Sequence, residues 1–467
     1  QPKLDINGEM PSFVSSLRSA VSRKGHVREI PAQPNLDNLS FQDQKPIGTK
    51  SSDASAGFPR TSLDRFQLVK KLGEGTFAVV VSAKSKTDGR QGALKVLKKE
   101  RELDFMQPGP NYSEGVTYQD VIDIFMGEID CMEKLGSHPN IVSVWGKGNH
   151  FIVMESAKLD LYTIRHAAGT GLPLKTAKGW IEQILSAVSY VHSMGYVHQD
   201  VKSGNILIFE DQTAKLCDFG LARKAEETMA VDRELLTLWY RAPELLLGAK
   251  HYTKAIDMWA IGCIFGELLT SSPLFQGKED KGPRALQEDQ LKKIFKVVGT
   301  PTPGHWKQLT ELPEWEKVSQ FAQQHDKDTL TSAVPATKTQ PGALSLLKSF
   351  FDYDPARRIT ALDAMRHDYF KNSTPFPLDN VFANSDGPGG HSSTAPTIDA
   401  SLYGPRTIHS VGMNGQSLAQ AMPPSNQGPP PQNRSMSGGY PPGGMGAGQK
   451  RGPQAHHGGH PNKMQRK

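Results

Sequence analysis

At 467 residues the chain is long enough for two or three average domains, or for one large two-lobed domain with extended ends. Its three cysteines, Cys131, Cys217 and Cys263, lie far apart and make no metal-type pair, which argues against a disulfide framework or a zinc site and for a reducing compartment. Five of the six net positive charges fall between Asn384 and Lys467, where seven lysines and arginines face only Asp386 and Asp399, so composition gives no sign of a basic nucleic-acid-binding face on the rest.

Residues 1–65 mix Ser, Asn, Gln, Pro and charge, and are expected to be a mostly disordered extension. Within them Phe13, Leu17 and Val21 recur at helical spacing behind Pro11, an amphipathic stretch short enough to be either marginal or a docking helix. Dense apolar patterning then runs from Phe66 to Phe370 and marks the folded domain, residues 66–370. Period-two runs predict strands over Phe66–Lys71, Val79–Lys84 and Gln91–Lys98. Two more, Ile141–Val144 and Phe151–Met154, flank the turn signal Gly146-Lys147-Gly148-Asn149. Between these groups, Val121, Phe125, Glu128, Met132 and Leu135 make one stripe on a long helix. Ala177–Ser193 and Ala255–Leu269 read as further helices, the first with Ile181, Ile184, Leu185, Val188 and Val191 on one face. Strands followed by helices indicate an α+β fold in two lobes, a small β-rich N-lobe and a larger helical C-lobe. The most apolar run, Met258 to Phe265, stops at Glu267, far short of a bilayer span, and no charged-then-apolar leader precedes it, so a soluble intracellular protein without membrane contact is expected. Residues 371–383 are expected to pack near the domain, and residues 384–467, rich in Gly, Pro and Gln, to form a disordered basic tail.

The loop Gly73-Glu74-Gly75-Thr76-Phe77-Ala78-Val79-Val80 sits between two predicted strands, where glycines let backbone N–H groups approach phosphate oxygens. Ala78 stands where a third glycine would be, and taken alone the loop reads equally well as a hairpin turn. Lys95 follows in the third strand. Glu128 sits inside an apolar helical stripe, where an unpaired carboxylate is costly, and Lys95 is the natural cation to meet it. The segment His198-Gln199-Asp200-Val201-Lys202-Ser203-Gly204-Asn205 comes next, with Asp218-Phe219-Gly220 beginning thirteen residues after Asn205. Such a set supplies positioned charge around a transferring phosphoryl group. Asp200 would accept a hydroxyl proton, Lys202 would steady the γ-phosphate, and Asn205 with Asp218 would hold Mg²⁺. Ala242-Pro243-Glu244 and Asp257-Met258-Trp259 complete the series in order.

Residues 66–370 resemble a protein kinase domain of the cyclin-dependent class, most specifically through Thr237-Leu238-Trp239-Tyr240-Arg241-Ala242-Pro243-Glu244-Leu245-Leu246-Leu247-Gly248. The resemblance implies ATP-dependent transfer to Ser or Thr. It implies a nucleotide site of Leu72, Gly73, Glu74, Gly75, Thr76, Phe77, Ala78, Val79, Val80, Ala93, Lys95, Glu128, Glu155, Ala157 and Asp160, with Met154 as gatekeeper and Asp160 on the ribose. It also implies a structural pair between Glu244 and Arg358. Two stretches, Ala249 to Ala260 with the insert Lys278 to Gln287, and Pro375 to Ala383, are similar to the Mediator-associated subfamily that partners cyclin C. That similarity implies the Mediator kinase-module subunits as partners, the RNA polymerase II C-terminal repeat as substrate, and a nuclear location.

Several positions depart from the class pattern. Gln199 replaces an arginine before the catalytic Asp, Gly127 replaces one before Glu128, and Asp232 stands at the activating-threonine position, leaving Arg223 as the one remaining phosphate-gripping arginine. Activity independent of activation-segment phosphorylation is therefore expected. Phe77 stands at the inhibitory-tyrosine position beside Thr76, and about fifteen extra residues, with Pro108-Gly109-Pro110, separate Lys95 from Glu128. Three other readings stay open: a cell-cycle or MAP-like stress kinase, an inactive kinase-fold scaffold fed by Gln199, Ser203 and Ala78, and a nucleic-acid binder resting on the tail alone.

Overall fold

The computed structural model describes residues 57–75, 77–103, 117–225, 237–249, 251–280, 285–322 and 329–371. The Phe13 to Val21 stretch, Thr76, Pro108-Gly109-Pro110, Asp232, residues 281–284 of the insert, Pro375 to Ala383 and the tail lie outside them.

Five strands, β1 (Phe66–Glu74), β2 (Ala78–Ser85), β3 (Gln91–Leu97), β4 (Val144–Lys147) and β5 (Phe151–Glu155), form an antiparallel sheet in the order β1-β2-β3-β5-β4. Strand side chains alternate between faces, so the register sorts them. Lys95 pairs with Val80 and Ile152 on one face, while Leu94 pairs with Val81 and Val153 on the other. Val81, Ala83, Leu94, Val96, Phe151 and Val153 build a small core of their own, edged by Leu63, Phe66, Leu68, Val79 and Trp145.

The sheet buries that face because the chain ahead of β1 joins its two edges. Lys147 N donates to Pro59 O at 3.0 Å, Thr61 N donates to Lys147 O at 2.9 Å, and Arg60 bridges Lys147 in parallel. Residues 57–65, which composition assigns to the extension, are therefore part of the fold. The expected strand Ile141–Val144 is displaced, since Ile141 makes only an isolated bridge to Leu216 while Gly146 and Lys147, expected in a turn, lie in β4. Gly146 permits this, because a Cβ there would sit 3.0 Å from the Pro59 carbonyl.

Helix α1 (Tyr118–Leu135) starts at a capping box in which Thr117 and Asp120 exchange bonds, and ends at Gly136 with φ 68°. Short helices α2 (Leu161–Ala168) and α4 (Pro243–Leu246) accompany two long ones, α3 (Leu174–Ser193) and α5 (Ala255–Thr270). Helices α6 (Glu288–Val298), α7 (Trp315–Phe321), α8 (Leu330–Ala333), α9 (Pro341–Phe350) and α10 (Ala361–Met365) follow. The α3 face expected from periodicity is the buried one, Ile181, Ile184, Leu185, Val188 and Val191 being at most 1% exposed. Helix α5 is apolar nearly all round and is buried on every side from Ala255 to Leu269. Between the helices run β6 (Leu159–Asp160), β7 (Tyr196–Val197), β8 (Ile206–Ile208), β9 (Ala214–Leu216) and β10 (Arg223–Lys224). The order β6-β8-β9 makes one small sheet and β7 with β10 another. The main core joins α1 to the helical part, through Phe125, Ile129, Met132, Ile184, Val188, Trp259 and Phe265 among others. Among the described residues no helix is long and apolar enough to cross a membrane.

Candidate active site

Strand β3 carries Lys95 on the face opposite the small core, and α1 presents Glu128 to it. The Lys95 ammonium donates to both Glu128 carboxylate oxygens at 2.6 Å and to Asp218 Oδ1 at 3.0 Å. Glu128 is 4% exposed, so without that cation its charge would be stranded in the core. Burial acts to lower the Lys95 ammonium, yet the Asp218 and Glu128 carboxylates outweigh it and hold its pKa above the usual lysine value. Burial pushes the Glu128 carboxyl up, against the pull of Lys95. Asp218 is also pushed up by burial, but Lys95 and Lys202 outweigh that and bring it down to about 2, so it is ionised at neutral pH. Three charges thus come together from strand, helix and loop.

A second cluster surrounds Asp200. Its Oδ2 accepts from Lys202 Nζ at 2.5 Å and from Asn205 Nδ2 at 2.9 Å, while its Oδ1 accepts from Thr237 Oγ1 at 3.2 Å. The loop that carries Asp200 is shaped by a carboxylate that sequence reasoning placed on a helix without giving it a role. Asp257, in the first turn of α5 and 1% exposed, accepts the backbone N–H groups of His198 and Gln199, each at 2.9 Å, and meets His192 Nε2 at 2.8 Å. Burial pushes Asp257 up, but its bonds and charge contacts with the two histidines outweigh this and hold it low. The logic that singled out Glu128, a carboxylate in an apolar helix, applies equally to Asp257. Gln199 and Asp218 both adopt left-handed backbone, at φ 69° and 66°, a conformation non-glycine residues keep only where their surroundings fix it. Gln199 donates its side-chain amide to the Tyr252 hydroxyl, and Arg223 turns its guanidinium to the Ala222 carbonyl at 2.8 Å.

Not every residue expected at the nucleotide faces it with its side chain. The period-two alternation of β2 could have separated Val79 from Val80: Val79 pairs with Val96 and packs toward the small core. Glu74 gives its carboxylate to Lys71 and, at 2.5 Å, to Lys98. The Glu155 carboxylate accepts from Lys215 Nζ at 2.8 Å on both oxygens and from Ser143 N at 2.7 Å, so the face it offers a ligand is backbone. Asp160 caps α2, accepting from Thr163 N and Thr163 Oγ1 at 2.8 Å each. Gly73 and Ala78 are buried, Leu72, Gly75, Phe77, Val80 and Ala157 are half-buried, and Ala93, beside Met154 in the β3–β5 register, is 7% exposed. Gly75 N donates to Ala78 O at 2.8 Å, which closes the tight turn between β1 and β2. The expected structural pair forms: Arg358 Nη1 and Nη2 reach Glu244 Oε1 and Oε2 at 2.7 and 2.9 Å.

A two-lobed α+β fold with a strand lysine gripped by a helix carboxylate, beside a loop of Asp, Lys and Asn, is that of a phosphotransferase acting on protein hydroxyls. Residues 66–370 match the family described as the protein kinase domain, and the chain belongs to that family. Within it the chain falls among the cyclin-dependent kinases. It is 37% identical over 365 residues to Cyclin-dependent kinase E-1 of Arabidopsis thaliana, covering 73% of this chain and 74% of that protein. It is 41% identical over 245 residues to Probable cyclin-dependent kinase 8 of Dictyostelium discoideum, covering 50% of this chain and 63% of that one. It is 36% identical over 385 residues to Cyclin-dependent kinase 11B of Rattus norvegicus, covering 80% of this chain and 81% of that one.

Protein kinases use ATP with Mg²⁺, and the oxygen donors here fit that ion. Asn205 directs its Nδ2 at Asp200, which leaves its Oδ1 for a cation, and the Lys95 bond to Asp218 uses Oδ1 and leaves Oδ2. Asp218 is 37% exposed, open to a ligand that brings phosphate oxygens of its own. Bound there, the ion would neutralise phosphate charge. Asp218→Asn removes the ionised donor, so Mg-ATP affinity measured by calorimetry should fall roughly tenfold or more, while ATP binding without metal changes little. Equal metal dependence in both proteins would remove Asp218 from the metal site.

Proposed function

We propose that the chain is an ATP-dependent Ser/Thr protein kinase in which the Lys95 ammonium, held between Glu128 and Asp218, aligns the nucleotide phosphates. That arrangement is the observation that carries the reading. Asp200 orients the acceptor hydroxyl and takes its proton, Lys202 steadies the γ-phosphate, and Asn205 with Asp218 holds Mg²⁺. Backbone of the 72–80 loop covers the phosphates, with Val80, Ala93 and the 155–157 backbone around the base. Within the cyclin-dependent kinases, we assign the chain to the Mediator-associated kinase that acts in the nucleus with a cyclin of the C type and the other kinase-module subunits. There it would regulate transcription, as activator or repressor, by phosphorylating Ser or Thr before Pro in the RNA polymerase II C-terminal repeat and in transcription factors. Support comes from the likeness to a relative named as a probable cyclin-dependent kinase 8 and from the Ala249 to Ala260 stretch with its following insert.

A cyclin is expected for a physical reason. Glu128 reaches Lys95 only while α1 stays against the sheet, and a partner packed on α1 would raise the population of that state. The kinase purified alone and with cyclin C should therefore differ at least tenfold in activity on a Tyr-Ser-Pro-Thr-Ser-Pro-Ser repeat peptide, about 1.4 kcal/mol of population shift. Changing Pro to Ala in the peptide should abolish most of the signal. Equal activity with and without cyclin would remove the partner, and indifference to the Pro change would remove the substrate class.

A further inference from the structure

The segment ahead of β1 does more than close the sheet, because its first turn also holds α1. Glu133, near the C-terminal end of α1, accepts the backbone N–H of Phe58 at 2.6 Å and the Lys147 ammonium at 2.5 Å, both on Oε1. The Glu133 and Lys147 side chains are each only 19% exposed, so the contact lies largely out of water. Two glycines make room for it. A Cβ on Gly57 would lie 2.9 Å from Glu133 Oε1, and one on Gly146 would lie 3.0 Å from the Pro59 carbonyl. One carboxylate therefore ties three pieces together: α1, the rim strand β4, and the leading segment.

We propose that residues 57–61 are an intramolecular tether for α1, and that Glu133 is a positioning residue acting through Glu128. Glu133 lies five residues beyond Glu128, about 7.5 Å along the helix and well over a quarter turn around it. Anchoring that point resists rotation of α1 about its axis and its withdrawal from the sheet, the two motions that part Glu128 from Lys95. An amide donating to a half-buried carboxylate is the stronger kind of hydrogen bond, and its removal leaves a charged acceptor with the Lys147 ammonium alone on that oxygen. The leading segment thus sets how much of the population holds the Lys95–Glu128 pair before any partner arrives. Only the nucleotide readout below rests on the kinase reading.

Proline lacks the donor, so Phe58→Pro removes the tether bond, while Phe58→Ala removes the ring and keeps the bond. In the full chain, Phe58→Pro should raise hydrogen exchange across residues 118–135 about tenfold relative to Phe58→Ala and weaken Mg-ATP binding by a similar factor, about 1.4 kcal/mol in each case. Phe58→Ala loses the packing of the ring on the main core and keeps the bond, so it is the reference for both readouts. Equal exchange in the two variants would overturn the tether, whatever the catalytic activity. Faster exchange with unchanged Mg-ATP affinity would overturn the positioning role. If Phe58→Pro fails to fold, Glu133→Gln, which keeps an oxygen acceptor for the amide, is compared with Glu133→Ala, which does not. Loosening of α1 in the Ala variant beyond the Gln variant supports the tether, and indistinguishable exchange overturns it.

Discussion

Replacing Asp200 with asparagine should lower phosphoryl transfer by about 10²–10⁴-fold while leaving Mg-ATP affinity within a few fold. The carboxylate accepts from Lys202, Asn205 and Thr237. An amide in the same place keeps one acceptor oxygen and turns a donor toward groups that are donors themselves. It also cannot take a proton from the attacking hydroxyl. Lys95 and Asp218 do not bond to Asp200, and Asn205 keeps its 2.8 Å bond to the Asp200 backbone carbonyl in the variant, so nucleotide binding should follow the loss only weakly. Single-turnover kinetics beside calorimetry separate the two, and retained turnover would end the assignment of Asp200.

The largest effect on stability is expected at Arg358. Its guanidinium is buried, forks onto Glu244, and donates to the Ala255 carbonyl at 2.9 Å and, through Nε, to the Asp352 carbonyl at 2.9 Å. It also lies 5.2 Å from the Trp259 ring centroid. Arg358→Ala leaves the Glu244 carboxylate buried and unpaired, and should destabilise the fold by about 3–5 kcal/mol. Arg358→Lys should not restore it, since a single ammonium cannot make the fork and both carbonyl bonds. Chemical unfolding measures both, and a lysine variant within about 1 kcal/mol of the parent would show that charge alone is what the site requires.

The order of a strand-rich part before a helical part and two decisive pairs were legible in the sequence, whereas the start of the folded range, read at residue 66, was not, since residues 57–65 also join the sheet. Lys95 with Glu128 and Glu244 with Arg358 could be read because each sets a charge where the apolar pattern forbids an unpaired one. What escaped was mostly backbone. Asp257 grips amides 59 and 58 residues away in the chain, and backbone groups carry no letter in a sequence. The leading segment escaped for the same reason, since Pro59, Arg60 and Thr61 dock through carbonyls and amides while their side chains look like those of a linker. Glu155 and Asp160 were located, but the groups to which their carboxylates turn could not be read. Residue type tells what a side chain can bond, and only the fold tells which of several candidates it meets.

The small core inside the five-stranded sheet is separate from the main one, and α1 belongs to the main one although it precedes β4 and β5 in the chain. The boundary between the two cores passes between Lys95 on the sheet and Glu128 on α1, and Leu97 of β3 and Ile152 of β5 reach across it into the main core. Sliding the sheet past α1 leaves the small core packed as it is and disturbs what crosses the boundary, the Leu97 and Ile152 contacts and the Lys95–Glu128 pair. Such shear motions fall in the microsecond-to-millisecond range, fast enough to admit nucleotide and release product without any unfolding. The ion pair at the boundary then acts as a latch: it reports in one bond whether the sheet and the helix have come into line.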